Sequence, residues 1–470
     1  MLFNSLIFVA FAILFFSVAK LIGNRVKVRL TWLTAMSLLF YGWWDWRFLF
    51  LIIFSGGVDF LAAMGMTRWE KRRKLFLVLS LIANLGALSI FKYSGFIAHN
   101  IDAFLKLPDQ LSLYKHIPEF FLITPVGISF YTFHSMSYTI DVYKRKCEPT
   151  KNVIHFFAFI SMFTQLVAGP ILRAKDMLPQ LLKINPISKE ERWNGFRYIV
   201  RGYFKKMVIA DNLAPIVVAA FSSPDIKQSS LYWWGIMIAF ALQIYCDFAG
   251  YSDIARGLAK WLGYDFNDNF NHPYISTSLK EFWTRWHISL SSWFRDYLYI
   301  PLGGNRKGKL RSDMNMWITM LLSGLWHGAA WTFICWGAIH AFFLNLERIT
   351  KWPERFKKSK ILVIAGWGFV TIQVLVAWVF FRSENIGQAW NIVKTMFSFT
   401  GSFELGWGLN GTVFIVVMMV REIVEAIGVK EKIDWTSGKW MWIEIILYAL
   451  LITTIVFFRG NGSEFIYFQF

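Results

Sequence analysis

Long apolar runs alternate with short basic loops through the first third of the chain. The runs lie at about Leu6–Val18, Leu30–Tyr41, Phe48–Met66, Leu75–Phe91 and Phe121–Ile140. Each is continuous and lacks the apolar–polar alternation of a barrel strand, so the pattern predicts helices. A helix of roughly 20 apolar residues is long enough to cross a bilayer. Basic clusters follow the first run (Lys20, Arg25, Lys27, Arg29), the third (Arg68, Lys71, Arg72, Arg73, Lys74) and the fifth (Lys144, Arg145, Lys146). Loops rich in Lys and Arg stay on the cytoplasmic side. That rule places the N-terminus outside and turns the polar Lys92–Glu119 stretch to the exterior.

The pattern then becomes less regular. The apolar run Val153–Ala168 ends at Gly169-Pro170, which cannot continue a regular helix. The region Arg173–Lys206 carries too many charges to span and predicts interfacial or re-entrant helices. A span is expected at Leu231–Phe248, followed by a separate short polar segment, Gly250–Trp261, and an Asn- and Asp-rich loop, Gly263–Tyr274. Later spans are expected at Ile361–Phe381, at Val413–Val420 (weaker, reaching as far as Ile427) and at Trp442–Phe458. No internal repeat is visible. The pattern predicts an all-α integral membrane protein with roughly ten to twelve segments of spanning or near-spanning length. It reads as one domain over residues 1–470, with its core at about 120–345.

Composition agrees. Hydrophobic residues make up 56% of the 470 positions and charged residues 17%, against about 25% charged in soluble domains. The net charge of +19 would suggest nucleic acid in a soluble protein. Here the cations sit in loops beside spans, where they meet an anionic leaflet, so a membrane-lipid partner is expected and nucleic acid is not. Three widely spaced cysteines give neither a disulfide framework nor a zinc pattern. The first run lacks a basic leader and a cleavage site, which predicts a retained span. Motifs for ATP, zinc-dependent and serine hydrolysis are missing, and no metal site is expected.

Candidate chemistry concentrates between Leu279 and Leu344, where two Trp-His dipeptides occur, Trp286-His287 and Trp326-His327. An ionisable side chain at membrane depth is costly and points to function. If one apolar helix starts near Asp313 and runs through to Leu344, His327 lies about 21 Å along it. In a hydrocarbon core about 30 Å thick that is beyond the midplane. A neutral imidazole there can take a proton from a hydroxyl; the alternative is a histidine hydrogen-bonded between helices. Gly324 and Gly328 beside it leave the backbone open to a ligand or to a neighbouring helix. His287 falls in an amphipathic stretch where Arg285, Trp286, Ser289 and Ser292 suggest a polar entrance. Arg285, Arg295 and Arg306, with Lys307, Lys309 and Arg311, form a basic patch suited to the phosphates of a nucleotide-bearing donor or to lipid headgroups. Asp247 stands out in an apolar run, whereas Asp253 and Arg256 have the spacing of a helical ion pair. His340 is expected on the opposite face of the His327 helix as a packing residue, and His134 is a weaker intramembrane candidate. Gln165, Asn269 and Asn271 carry no signal of their own.

The run from Phe282 to Trp293, the segment Arg295–Arg306 with its Pro301-Leu302-Gly303-Gly304-Asn305-Arg306 ending, and Gly324-Leu325-Trp326-His327-Gly328 together resemble the membrane-bound O-acyltransferase family. Tyr245–Ala255, Val167–Ile171 and Phe465–Phe470 extend the resemblance over nearly the whole chain, and it is strongest to the branch that O-acetylates alginate or peptidoglycan. It implies a ring of tilted helices, with interfacial and re-entrant helices, around a central funnel. His327 would be the catalytic base and His287 the second family histidine on the cytoplasmic side. Arg285, Trp286, Ser289, Arg295, Asn305, Arg306, Trp326 and Asp247 would contact donor or substrate. The implied donor is an acyl thioester, acetyl-CoA in this branch, with no bound cofactor. The acetyl group would pass outward to an exported partner of the SGNH-hydrolase type that acetylates a polysaccharide or peptidoglycan. The implied location is the bacterial cytoplasmic (inner) membrane. Ala249 stands where Ser is common in the family. Two other readings are D-alanyl transfer to teichoic acid, which shares the Trp-His motifs, and a transporter. Paired broken helices would mark the latter, and none is visible.

Overall fold

All regular structure among the described residues is helical. The computed structural model describes residues 1–167, 169–183, 186–222, 229–401, 408–426, 438–462 and 465–466. Ala168, the end of the weak run at Ile427, and residues 467–470 of the final motif therefore lie outside the described residues. The chain forms two compact units: Met1–Gly195 with Ala255–Asn267, and Phe196–Ile254 with Asp268–Phe470.

In the first unit, helix α1 (Leu6–Ile22) begins where the Ser5 side chain accepts from the Phe8 N–H and stops at Gly23, whose φ of +61° suits glycine. Its buried Phe8, Phe11 and Phe15 recur at helical spacing and meet the Phe163 ring. Phe8 and Phe11 also touch Phe40 of α2 (Val26–Asp45). Helices α3 (Leu49–Arg68), α4 (Arg73–Leu88) and α5 (Ile128–Tyr143) share a buried polar network. The Asp59 carboxylate accepts from Ser80 Oγ and from Asn84 Nδ2 at 2.9 and 3.0 Å, and Ser55 Oγ lies 3.2 Å from Ser135 Oγ. Satisfying polar groups within the protein is the condition for placing them where lipid offers no partner.

Two boundaries differ from the sequence pattern in this unit. The fourth run continues through a π-helical turn, Ser89–Tyr93, into a helix over Ser94–Leu105, so the polar stretch begins as helix. The fifth run is interrupted between Leu122 and Ile128, where Pro125 lacks an N–H and Gly127 sits at φ +74°. A methyl on Gly127 would lie 2.4 Å from the Leu166 carbonyl oxygen, so the turn is also a close backbone approach.

The second unit is built on helix α6 (Ser230–Trp261), whose last residues belong to the first. It runs unbroken through Gly250, where the sequence suggested a boundary. A Cβ on Gly250 would meet the Gly202 carbonyl oxygen at 2.8 Å, and one on Gly202 would meet the Gly250 oxygen at 2.6 Å. These glycines permit a helix crossing rather than a break. The second unit also holds the short helices α7 (Leu279–Arg285) and α8 (Ile288–Phe294), then α9 (Lys309–His327), α10 (Trp331–Thr350), α11 (Lys360–Arg382), α12 (Gly408–Ala426) and α13 (Gly438–Phe458).

The stretch expected as one apolar helix from Asp313 to Leu344 is a helical hairpin. Helix α9 ends at His327, Gly328 and Ala330 are extended, and α10 starts at Trp331. Glycines hold the two arms together: a Cβ on Gly324 would sit 2.2 Å from the Phe333 carbonyl oxygen, and one on Gly337 2.3 Å from that of Met320. His327 is therefore at the end of a helix, not in its middle, and His340 is on a different helix.

Five helical stretches among the described residues are long and apolar enough to cross a membrane: Val26–Arg68, Glu70–Leu105, Ser230–Trp261, Lys360–Arg382 and Met441–Phe458. They present large exposed apolar side chains such as Leu61, Ile82, Ile364 and Leu450, an arrangement suited to lipid.

Candidate active site

The first Trp-His pair is set by a loop that returns beside it. Ser278 caps α7 by accepting from the Glu281 N–H, and the helix ends at Trp286, whose backbone is extended. His287 then adopts φ +41°, a left-handed conformation seldom taken by residues other than glycine, and opens α8. Two backbone bonds of 2.9 Å tie this corner to the loop, Asn271 N–H to the Arg285 carbonyl and Ile288 N–H to the Asn269 carbonyl. The Asn269 side chain fills the corner. Its Oδ1 accepts from Ser289 Oγ at 2.8 Å, from the Ser289 N–H at 3.3 Å and from His287 Nδ1 at 3.1 Å. Its Nδ2 donates to Ser252 Oγ at 3.1 Å.

The Ser289 backbone N–H can only donate, which fixes the Asn269 oxygen toward it and makes His287 Nδ1 the protonated nitrogen. His287 Nε2 is then a bare lone pair, buried and without a hydrogen-bond partner. Phe248 at 4.6 Å and Phe270 at 6.2 Å between ring centroids enclose the imidazole. Burial among these rings pushes its pKa below the ordinary histidine range.

The second pair closes the cluster. His327 is the last residue of α9 and is buried, with Trp326 at 5.0 Å, Trp336 at 5.1 Å and Phe381 at 5.3 Å, all nearly perpendicular to it. Trp326 also lies 6.1 Å from His287. The two histidines thus share one aromatic neighbour.

The other expected site residues separate into groups. Ser289 belongs to the Asn269 corner, and Trp326 joins the histidines. Trp286 is buried against Phe282, Phe270 and Trp378, as part of the aromatic core. Arg285 is engaged by Glu281 Oε1 at 3.0 Å and the Asn271 carbonyl at 3.1 Å. Burial raises the pKa of the Glu281 carboxyl, but bonds from Thr277 and Arg285 outweigh it and hold the group below its ordinary range. Arg295 pairs with Asp296 at 2.8 Å on an exposed surface. Asn305 and Arg306 are exposed, just beyond Gly303 and Gly304, which have positive φ.

Asp247 is placed differently. Its Oδ1 lies 2.7 Å from Lys206 Nζ, which also holds Asp211 at 2.9 Å, and its Oδ2 accepts from the Ile466 N–H at 2.7 Å. It is an internal anchor. Asp253 bridges to Lys205 at 2.8 Å, and Arg256 donates to the Phe266 carbonyl. His134 is buried in the first unit against Phe159. Asn269, Trp336 and Phe381 carried no sequence signal, since each acts through contacts made only after the chain folds back.

A family model described as MBOAT, membrane-bound O-acyltransferase family, matches residues 114–386. A protein of Azotobacter vinelandii named "Probable alginate O-acetylase AlgI" is 40% identical over 408 residues, covering 85% of this chain and 78% of its own length. A Pseudomonas putida protein of the same name is 36% identical across 100% of both chains. The "Peptidoglycan O-acetyltransferase" of Helicobacter pylori is 33% identical, covering 79% of this chain and 74% of its own.

Proposed function

The chain belongs to the membrane-bound O-acyltransferase family, and we propose that it moves an acetyl group from acetyl-CoA for O-acetylation of an exported polysaccharide or of peptidoglycan, with His327 as general base. One observation carries the assignment of the base: His327 is buried at the carbonyl end of α9, inside an aromatic cage that it shares with His287 through Trp326. The carbonyls at a helix C-terminus complement a positive charge. An imidazolium formed during the reaction is therefore matched by its surroundings.

In this reading the acceptor hydroxyl oxygen attacks the thioester carbonyl carbon while His327 takes the hydroxyl proton. The tetrahedral intermediate then expels the thiolate, which receives that proton from His327, leaving an ester and a free thiol. Burial of the donor and acceptor beside the base replaces a bimolecular encounter with a held geometry. His287 has a separate role. Its Nε2 has no proton to donate in the neutral form, so it accepts a hydrogen bond and orients a donor or acceptor group rather than stabilising an oxyanion. Indole N–H groups are better suited to that second task.

The wider assignments follow the family: an inner-membrane enzyme surrounded by lipid, its N-terminus outside, delivering acetyl groups to an exported SGNH-hydrolase-like partner. Residues 1–470 act as one catalytic domain. The test is base-labile acetate on secreted polysaccharide and isolated envelope, in cells lacking the protein, restored, or carrying His327→Ala at matched expression. Loss from one fraction in both defective strains is expected and identifies the acceptor. Unchanged acetate in every fraction would overturn the reading.

A further inference from the structure

Buried polar atoms in folded proteins nearly always have hydrogen-bond partners, and those without one call for a water or a ligand. The second unit holds such a group apart from the residues given roles above. His340 of α10 is 1% exposed, and neither of its ring nitrogens has a partner. Trp336 lies 4.8 Å and Trp283 5.1 Å from its ring, both steeply inclined, and Phe282 is parallel to it at 6.4 Å. The indole N–H groups of Trp283 and Trp336 are themselves buried without partners. Helices α7 and α10 thus bring together side chains offering three N–H donors and one acceptor, the latter from the neutral imidazole.

This group adjoins the base. Trp336 contacts His340 and, at 5.1 Å, His327. The two imidazoles are no farther apart than the sum of those two ring separations.

We propose that His340, Trp283 and Trp336 form a subsite for a neutral carbonyl or amide oxygen of the acyl donor, next to His327. The inference rests on the acyl-transfer reading above. An excess of donors selects an oxygen that accepts. The rings that enclose His340 are uncharged, which disfavours a phosphate or carboxylate, since a buried anion needs a paired cation. An amide-bearing thioester arm supplies neutral oxygens of this kind, and binding one places the thioester within reach of the base. His340 is then a positioning residue for the donor.

A packing histidine and a binding histidine respond oppositely to His340→Phe. Phenylalanine keeps a ring in the core and removes two unmet nitrogens, so it should leave the melting temperature unchanged or raised. The full-length protein, reconstituted in phospholipid vesicles, is assayed for thiol release from acetyl-CoA. The expected result for His340→Phe is a KM for acetyl-CoA raised about 3- to 10-fold, the worth of one hydrogen bond, with kcat changed less. His340→Gln, which keeps a donor and an acceptor, should recover part of the loss. Trp283→Phe, which removes only an N–H donor, should raise KM in the same direction and serves if His340→Phe fails to fold. Unchanged KM in a folded His340→Phe protein, or in Trp283→Phe when that variant is needed, would overturn the subsite and leave a packing residue or a bound water. Wild-type protein that releases no thiol while His327→Ala also abolishes cellular O-acetylation would overturn acetyl-CoA as donor, and with it the subsite as a site for that arm.

Discussion

The Trp326 indole lies against the imidazoles of both His327, at 5.0 Å, and His287, at 6.1 Å between ring centroids. One side chain at the end of α9 therefore holds in place two groups delivered by different elements. Trp326→Ala removes the shared wall and should lower transfer by up to about 100-fold, the scale of a small misplacement of reacting groups. Trp326→Phe keeps a ring there and should retain much more activity. The comparison is made by acetate transfer at matched membrane levels. Equal activity of the Ala and Phe variants would mean the indole does not set this geometry.

Asn269 determines which nitrogen of His287 carries the proton. Asn269→Ala removes the oxygen that accepts from the Ser289 N–H, the Ser289 hydroxyl and His287 Nδ1, and should destabilise the protein by about 1–3 kcal/mol with a matching loss of rate. Asn269→Asp tests the protonation state directly. A carboxylate beside His287 favours the imidazolium, whose Nε2 is a donor, so the group is charged below its raised pKa and neutral above it. The variant should lose activity as pH falls through that value and recover at higher pH, while wild type shows no such limb from His287. Coincident pH–rate profiles would remove the requirement for a bare Nε2.

The hairpin that carries His327 depends on backbone contact. Gly324→Ala and Gly337→Ala would each place a methyl within 2.2–2.3 Å of a carbonyl oxygen of the opposite arm. Each should cost about 1–3 kcal/mol by overpacking, and transfer should fall with it because His327 moves with its helix. Gly368→Ala, with open space around its Cβ position, serves as the neutral control. Thermal melting in detergent, read beside activity, separates the three.

Lys206 stands between Asp211 and Asp247 with 1% of its side chain exposed. Lys206→Met leaves two carboxylates buried without their cation, and should destabilise by about 3–5 kcal/mol. Adding Asp211→Asn and Asp247→Asn to Lys206→Met should recover most of that loss. A single Lys206→Met protein that melts like wild type would mean the triad is not buried in the membrane-embedded protein.

How far the chain could be read beforehand varied with what surrounds each residue. Lys360–Arg382 and Gly438–Phe458 were visible as Ile361–Phe381 and Trp442–Phe458 because unbroken apolar runs of spanning length have few other folds open to them. His327 was visible because an imidazole in an apolar run is conspicuous. Its position was not. Gly328, Ala329 and Ala330 are small and apolar, so the turn they make looks the same in one dimension as the middle of a helix. Gly250 misled in the other direction, since a glycine needed for a close crossing carries the same letter as one that ends a helix. Asn269 and Trp336 were silent because their partners, Ser289 for the first and His327 and His340 for the second, are brought to them only by the return of loops and the hairpin.

The bond from Ile466 N–H to Asp247 Oδ2 spans 219 residues of chain. Asp247 leaves the ribosome and enters the bilayer long before the backbone group that completes its coordination has been made. Lys206 precedes it and lies 2.7 Å from its Oδ1, so this cation is available to pair with the carboxylate in the interval. A nascent protein stalled or cleaved between these points would carry an open seat on its carboxylate.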